Sequence, residues 1–445
     1  MIRHPKAILI MLCFAFLPFG ARAQTVEPIY PADQPIAPPP VLNGQGASLA
    51  FQSEKAPRNS VAGGISFADA FTDNMYMSNT NTESTFSYLL QPYIQFARTT
   101  PRLDWDANFG MGFFFYQHLE NENQYSENVN VNLTYRFTER LSLRLSSTFA
   151  NTSGLFSTSN PVTTASGIGV VEQSNNSLLV PAVQRTVGNN SLAEMSYQAS
   201  PGSVVGVRGT FSFLDYPGSS ADSSFGPLYN SLTYSGEAFY NQRLSPRQWL
   251  GGAVRVQRIE TQPTIGHTDT ASLLLYYGFA IRASTTLSFF AGPEYYDSTP
   301  APGTVTGDEL LFYGHRWAPA VGATFSWQGE STSVAAVYSR QVDDGGGLFS
   351  AVTLEQESVS LRSQLTERQA VYVGFRQASN EPLGTGYSYN GFSASFQLEH
   401  QLRRAFYLRL GYARQRQDLP GRQTAASANT AWLSLSYNFN HAFGR

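Results

Sequence analysis

Three observations predict an all-β chain closed into a transmembrane, antiparallel, up-and-down β-barrel of about 18 strands, with 16 as the alternative count. Apolar and polar residues alternate with a period of two along runs longer than a soluble sheet needs. Those runs are joined alternately by tight turns and by long polar loops. Beyond the first residues, no stretch is apolar for the ~20 positions that a spanning helix requires.

Arg3 and Lys6 precede an apolar run from Ala7 to Phe19, and Ala21-Arg22-Ala23 supplies small residues for cleavage. Residues 1–23 therefore read as a secretory signal peptide. Cys13, the only cysteine, lies inside it, so the mature chain has no thiol for a disulfide or a thiolate metal site. From Gln24 to Asn59, prolines at 28, 31, 35 and 38–40 with little periodicity predict an extended periplasmic tether over 24–59. The barrel is expected to occupy 60–445.

Alternation begins near Val61, with Ile65, Phe67 and Phe71 on one face, and a polar loop through Asp73, Asn74, Ser78 and Asn79 follows. Phe86, Tyr88, Leu90, Pro92, Ile94 and Phe96 then set one apolar face, and a tight turn at Thr99 to Pro101 leads to Leu103, Trp105, Phe109, Met111, Phe113 and Phe115. After a loop through His118, Glu120 and Asn123, Val129, Val131, Leu133 and Tyr135 alternate with Asn130, Asn132, Thr134 and Arg136, and Leu141, Leu143 and Leu145 with Ser142, Arg144 and Ser146. The rhythm continues to Leu433, Leu435, Tyr437 and Phe439, a terminal strand with the aromatic end that a barrel-insertion machine recognises. Short turns recur at Ser200-Pro201-Gly202, 244–247, Ala283-Ser284, Gly329-Glu330, 366–368 and Arg403-Arg404. Long loops are expected around 151–187, 217–227, 261–267, 298–308, 343–347, 380–387 and 418–428, on the external side, the first and longest being either a surface loop or a loop folded into the pore.

Hydrophobic residues make up 42% of the chain and aromatics 13%, enough for one apolar face per strand and for aromatic girdles at two membrane interfaces. A soluble sandwich or propeller also alternates, but its short strands need less apolar surface, and the opposite faces here are consistently Ser, Asn, Gly, Thr, Gln and Arg. With Lys6 and Lys55 the only lysines and a net charge of −3, nucleic acid is excluded as a partner.

The segment Ser66 to Phe149, with its Asp69-Ala70-Phe71-Thr72-Asp73-Asn74 start, resembles the opening of the β-barrel porin type 2 family. That resemblance implies an outer-membrane channel and, through members associated with exopolysaccharide gene clusters, a role in polymer export. It implies no catalytic residues.

The residues themselves offer no catalytic, metal or cofactor site: His118, His267, His315, His400 and His441 stand apart, and Gly345-Gly346-Gly347 lacks a calcium repeat. Arg136, Arg144, Arg208, Arg255, Arg362, Arg376 and Arg409 fall on the inward phase, against Asp104, Asp106 and Glu237. They are the candidate pore-lining residues, either bracing the wall in pairs or biasing a lumen toward anions. The expected function is a non-enzymatic channel of the bacterial outer membrane for passage or export of polar solutes or polysaccharide. Its partners are outer-membrane lipid and the insertion machinery. The alternative is a structural or adhesive surface barrel with a closed lumen.

Overall fold

The computed structural model describes residues 59–79, 82–117, 119, 123–152, 185–217, 228–262, 266–282, 284–300, 314–346, 351–383, 388–418 and 425–442. The expected signal peptide and nearly all of the tether lie outside them, as do His118 and most of the 151–187 loop. The strands are β1 (Asn59–Thr72), β2 (Thr85–Thr99), β3 (Leu103–Tyr116), β4 (Gln124–Arg136), β5 (Leu141–Thr152), β6 (Thr186–Ser200), β7 (Ser203–Asp215), β8 (Asn230–Ser245) and β9 (Gln248–Gln262). They continue with β10 (Gly266–Arg282), β11 (Thr285–Pro300), β12 (Gly314–Gln328), β13 (Thr332–Asp344), β14 (Ala351–Thr366), β15 (Gln369–Pro382), β16 (Tyr389–Arg403), β17 (Phe406–Asp418) and β18 (Ala426–Ala442).

Each strand pairs antiparallel with its neighbour in sequence, and β1 pairs with β18, so the 18-stranded sheet closes on itself. Closure pairs the wall amides with one another, the condition for a sheet to sit in hydrocarbon. Both described ends lie on the short-turn side, and at several of those turns the last pairs shift by one residue, a bulge that strengthens the local twist.

One phase of each strand faces out. Ile65, Phe67, Phe115, Val207, Val254, Leu275 and Leu410 are exposed, while their chain neighbours are buried or half-buried on the inside. On β10 the outward apolar series runs from Ala271 to Ile281. At ~3.4 Å per residue and a tilt of ~45°, that interval rises about 24 Å, the height of a membrane barrel's apolar band. Aromatic rims bound it: Tyr197, Tyr240, Tyr277 and Trp327 on the turn side, and Tyr88, Tyr125, Tyr234, Tyr295 and Trp317 on the loop side. Rings from adjacent strands touch there, with Phe71 and Phe86 5.0 Å apart and Tyr295 and Trp317 5.3 Å apart between centroids.

The segment 261–267, expected to be a long loop, is not one. β9 runs to Gln262 and β10 starts at Gly266, so both strands stand above the apolar band. Their outward residues there are charged: Arg258 Nε lies 2.9 Å from Glu260 Oε1 on its own strand and 3.8 Å from Asp269 Oδ1 across on β10, and His267 Nε2 lies 3.6 Å from Asp269 Oδ2. Polarity on both faces hides a strand from a reading based on alternation.

The inner face also departs from the uniformly polar lining expected. Leu89, Phe114, Tyr116 and Trp432 pack with Ala68, Ala70, Ala413 and Met75 into an apolar cluster inside the cylinder. Trp432 of this cluster, like Phe239, Trp249 and Phe290 elsewhere on the inner face, lies over its direct cross-strand glycine, Gly411 for Trp432 and Gly206, Gly278 and Gly322 for the other three, where any Cβ would strike the ring. Glycine beneath each ring lets it lie flat against the wall.

Asp73-Asn74, read from the sequence as the start of a loop and part of the motif behind the resemblance, staples the seam between the first and last strands. Asp73 Oδ1 and Oδ2 accept from Asn429 N at 2.7 Å and Asn429 Nδ2 at 2.6 Å, and Asn74 Nδ2 donates to Ser427 O at 2.9 Å and Ser78 O at 2.6 Å. Beyond the staple, Met75 and Met77 turn onto the inner wall, fully buried, with Met77 in the left-handed region at φ 49°. Asp73→Ala removes two bonds to a charged group and is expected to cost about 1.5–3 kcal/mol each. The check is the temperature at which the detergent-solubilised barrel loses its compact electrophoretic form; melting together with wild type would show that the seam does not depend on Asp73.

Candidate functional site

Following the pairing from strand to strand on the inward face traces a row of side chains. Asp104 stands opposite Thr134, Thr134 opposite Arg144, Arg144 opposite Glu194, and Glu194 opposite Arg208. Arg208 then faces Glu237, Glu237 faces Arg255, Arg255 faces Ser272, and Ser272 faces Glu294. Because strands in a barrel tilt, the row climbs the wall, from near the turn side at β3 to the upper half at β11. The signs alternate along most of it.

Its central members are locked together. Arg208 donates to Glu194 Oε2 through Nη2 at 2.6 Å and Nε at 2.8 Å, and to Glu237 Oε1 through Nη1 at 3.2 Å, with its guanidinium 5.3 Å from the Phe239 ring centroid. Arg255 Nη2 donates to Glu294 Oε1 at 3.2 Å. Across the barrel, Arg409 binds Glu399 Oε2 at 2.7 Å and Ser436 Oγ at 3.0 Å, while Arg362 covers the ring of its cross-strand partner Tyr372 at 5.4 Å.

The ten expected pore residues all lie on the inward phase, but they divide in two. Arg208, Arg255, Arg362, Arg409 and Glu237 are buried, at 2–8% exposure. Their charge is spent on neighbours or laid on aromatic rings, so they brace the wall. Asp104 and Arg136 are exposed, and Asp106, Arg144 and Arg376 are half-buried. Around Asp106 a neutral amide surface extends across β3–β5, with Asn132 Nδ2 3.2 Å from Asp106 Oδ2 and 2.7 Å from Asn130 Oδ1, and Asn130 Nδ2 2.9 Å from Thr148 Oγ1.

Sequence reasoning missed Glu194, Glu294 and Glu399, the carboxylates that complete these pairs. It also read 343–347 as an ordinary external loop. β13 pairs with β12 only up to Arg340 opposite Val321, while its pairing with β14 continues to Asp344 opposite Ala351. The tip of the β13–β14 hairpin has left the wall and folds into the lumen. Glu294, fully buried, holds it: one carboxylate oxygen takes Arg255 and the other accepts Val342 N at 2.9 Å. Tyr216, just past β7, donates its hydroxyl to Gly346 O, and Ser231 Oγ donates to Asp344 Oδ2 at 3.4 Å. Burial first, and then the charge of Asp344, hold the Tyr216 phenol well above its ordinary pKa, so it stays protonated and donates. Gly346, with φ 58°, closes the tip where a side chain would be strained. Val352, Leu354 and Ala378 pack as an apolar cluster at the base of the hairpin tip.

No family model matches the sequence, and no curated protein matches it, so the resemblance drawn from Ser66 to Phe149 gains no support from either. Solved structures similar in outline include the outer membrane protein OpdK of Pseudomonas aeruginosa, at 10% identity and TM-score 0.41 over 86% of this chain and 99% of that one. OccAB4 of Acinetobacter baumannii is similar at 10% identity and TM-score 0.41, over 86% and 99%, and OpdO of Pseudomonas aeruginosa at 11% and 0.42, over 88% and 100%. At this level the likeness concerns outline alone.

Glu294→Ala strands Arg255 and frees the tip. Stability is expected to fall by about 3–5 kcal/mol, the cost of breaking a buried pair, with a wider water path read as higher conductance across a planar bilayer. Tyr216→Phe loses one hydroxyl and should raise conductance while leaving urea unfolding nearly unchanged. Wild-type conductance in both variants would show that the tip does not set the width.

Proposed function

We propose that this chain is a bacterial outer-membrane channel through which polar solutes pass passively, with the in-folded β13–β14 tip as its narrow point. The observation that carries the reading is the division of each strand between an apolar outward phase with two aromatic rims and an inward phase holding charged and amide side chains. Such a wall separates lipid from a water-filled interior. Long loops face outside and short turns the periplasm by the usual asymmetry of these barrels. No bond chemistry is invoked. A role in polysaccharide export rests on the family resemblance alone, and the lumen adds nothing to it.

Arg208, Arg255 and Arg409 sit beside acids and contribute little net field. Selectivity is assigned to the unburied set, where Arg136, Arg144 and Arg376 stand against Asp104 and Asp106 and give a modest preference for anions. Reversal potentials in a salt gradient are expected to favour chloride, and Arg144→Ala with Arg376→Ala should move them toward zero. Cation preference in the wild type would sink the assignment.

The second reading, a structural barrel with a closed lumen, is favoured by a specific feature: the apolar cluster around Met75, Leu89, Phe114 and Trp432 fills part of the interior. Single-channel recording separates the two. Absence of conductance in both the wild type and Glu294→Ala establishes the closed barrel.

A further inference from the structure

The β12–β13 ladder ends early on both strands. It stops at Val321 and Arg340, although β12 continues to Gly314 and β13 to Asp344. The cause is the tip, since above Arg340 β13 turns inward to reach Glu294. Among the described residues nothing takes its place beside 314–320, which is therefore a sheet edge. Side chains on this edge are exposed on both phases, His315 and Trp317 outward and Arg316 inward. Trp317, at 70%, is the most exposed large hydrophobic residue described. Pro319, which has no N–H to leave unpaired, sits within the edge and faces Pro293 of β11.

The height of the edge matters. Trp317 belongs to the loop-side aromatic rim, where outer-leaflet headgroups meet hydrocarbon. Beside it, the outward positions of the bent strands are Arg340, its cross-strand partner Glu355, and Glu357. Charged groups facing lipid tails are costly, so this flank borders a water-holding notch rather than acyl chains. On the edge itself two chemistries stand back to back. Arg316 faces the lumen, and no described carboxylate forms an ion pair with it. Trp317 faces the bilayer, edge-on to Tyr295.

We propose that the notch between β12 and β13 is a second, lateral route, through which amphipathic organic acids move between the lumen and the outer leaflet. Arg316 meets the carboxylate, and Trp317, Tyr295 and Pro319 receive the apolar body. Transfer is by partition, with no bond made or broken. The inference rests on the channel reading.

The mature chain carries no thiol if cleaved after Ala23, so single cysteines report without background. In proteoliposomes, Ala318→Cys on the inward phase behind the notch is expected to react with a phospholipid-tethered maleimide several-fold faster than Ser288→Cys, inward behind closed wall. Dodecanoate should slow that labelling and acetate should not, and Arg316→Ala should remove the protection. Equal rates at the two cysteines, or no effect of dodecanoate, overturns the lateral route. A water-soluble maleimide that labels neither cysteine overturns the channel reading instead.

Discussion

The requirement that backbone amides in hydrocarbon be paired within the protein governs this molecule. A sheet meets it only by closing, and closing fixes nearly everything else. Once β1 meets β18, each strand has one face toward lipid and one toward the interior, and the period-two alternation of the chain becomes a radial division of chemistry. The seam is the step that local pairing cannot guarantee, because its partners are the first and last strands. Asp73 and Asn74 lie at that junction, and their side chains reach β18 rather than the adjacent β2.

Closure also explains the charged row. A carboxylate or guanidinium on the outer face would cost several kcal/mol in mid-bilayer, so ionic groups in the wall are confined to the inside or to the levels above the aromatic rims. On the inside, residues on neighbouring strands in direct register are close, and opposite charges at such positions satisfy each other. Arg208 between Glu194 and Glu237 is the clearest case. Glu294 goes further, because one of its oxygens completes the row and the other fixes a backbone amide of the in-folded tip. The wall's electrostatics and the width of its opening thus meet in one side chain.

Much of the barrel was legible from the sequence because its signal is repetitive: strand after strand repeats the alternation of Phe86 to Phe96, and an error at one does not spread to the next. The inward phase of the ten charged residues was legible for the same reason. Glu194, Glu294 and Glu399 were not singled out, because partnership depends on register between strands and a phase carries no register. The 261–267 region was misread because Glu260, His267 and Asp269 stand above the lipid, where the outward face no longer has to be apolar. The inward bend of 341–346 leaves no trace in alternation either. Its fixing point, Glu294, lies about fifty residues away in sequence.

The same constraint accounts for where the wall can fail. A lapse in the ladder low in the membrane would leave amides facing hydrocarbon on both strands, each costing several kcal/mol. At the level of Trp317 the environment is interfacial and water can serve the edge, and Pro319 lacks an N–H altogether. β13 is therefore free to leave the wall above Arg340 and not below it, and the energy released by binding Val342 to Glu294 has only a modest loss to offset. Constriction of the lumen and opening of the wall are two results of one displacement. A device that narrows the axial path by folding a strand inward necessarily thins the barrel at the place the strand has left.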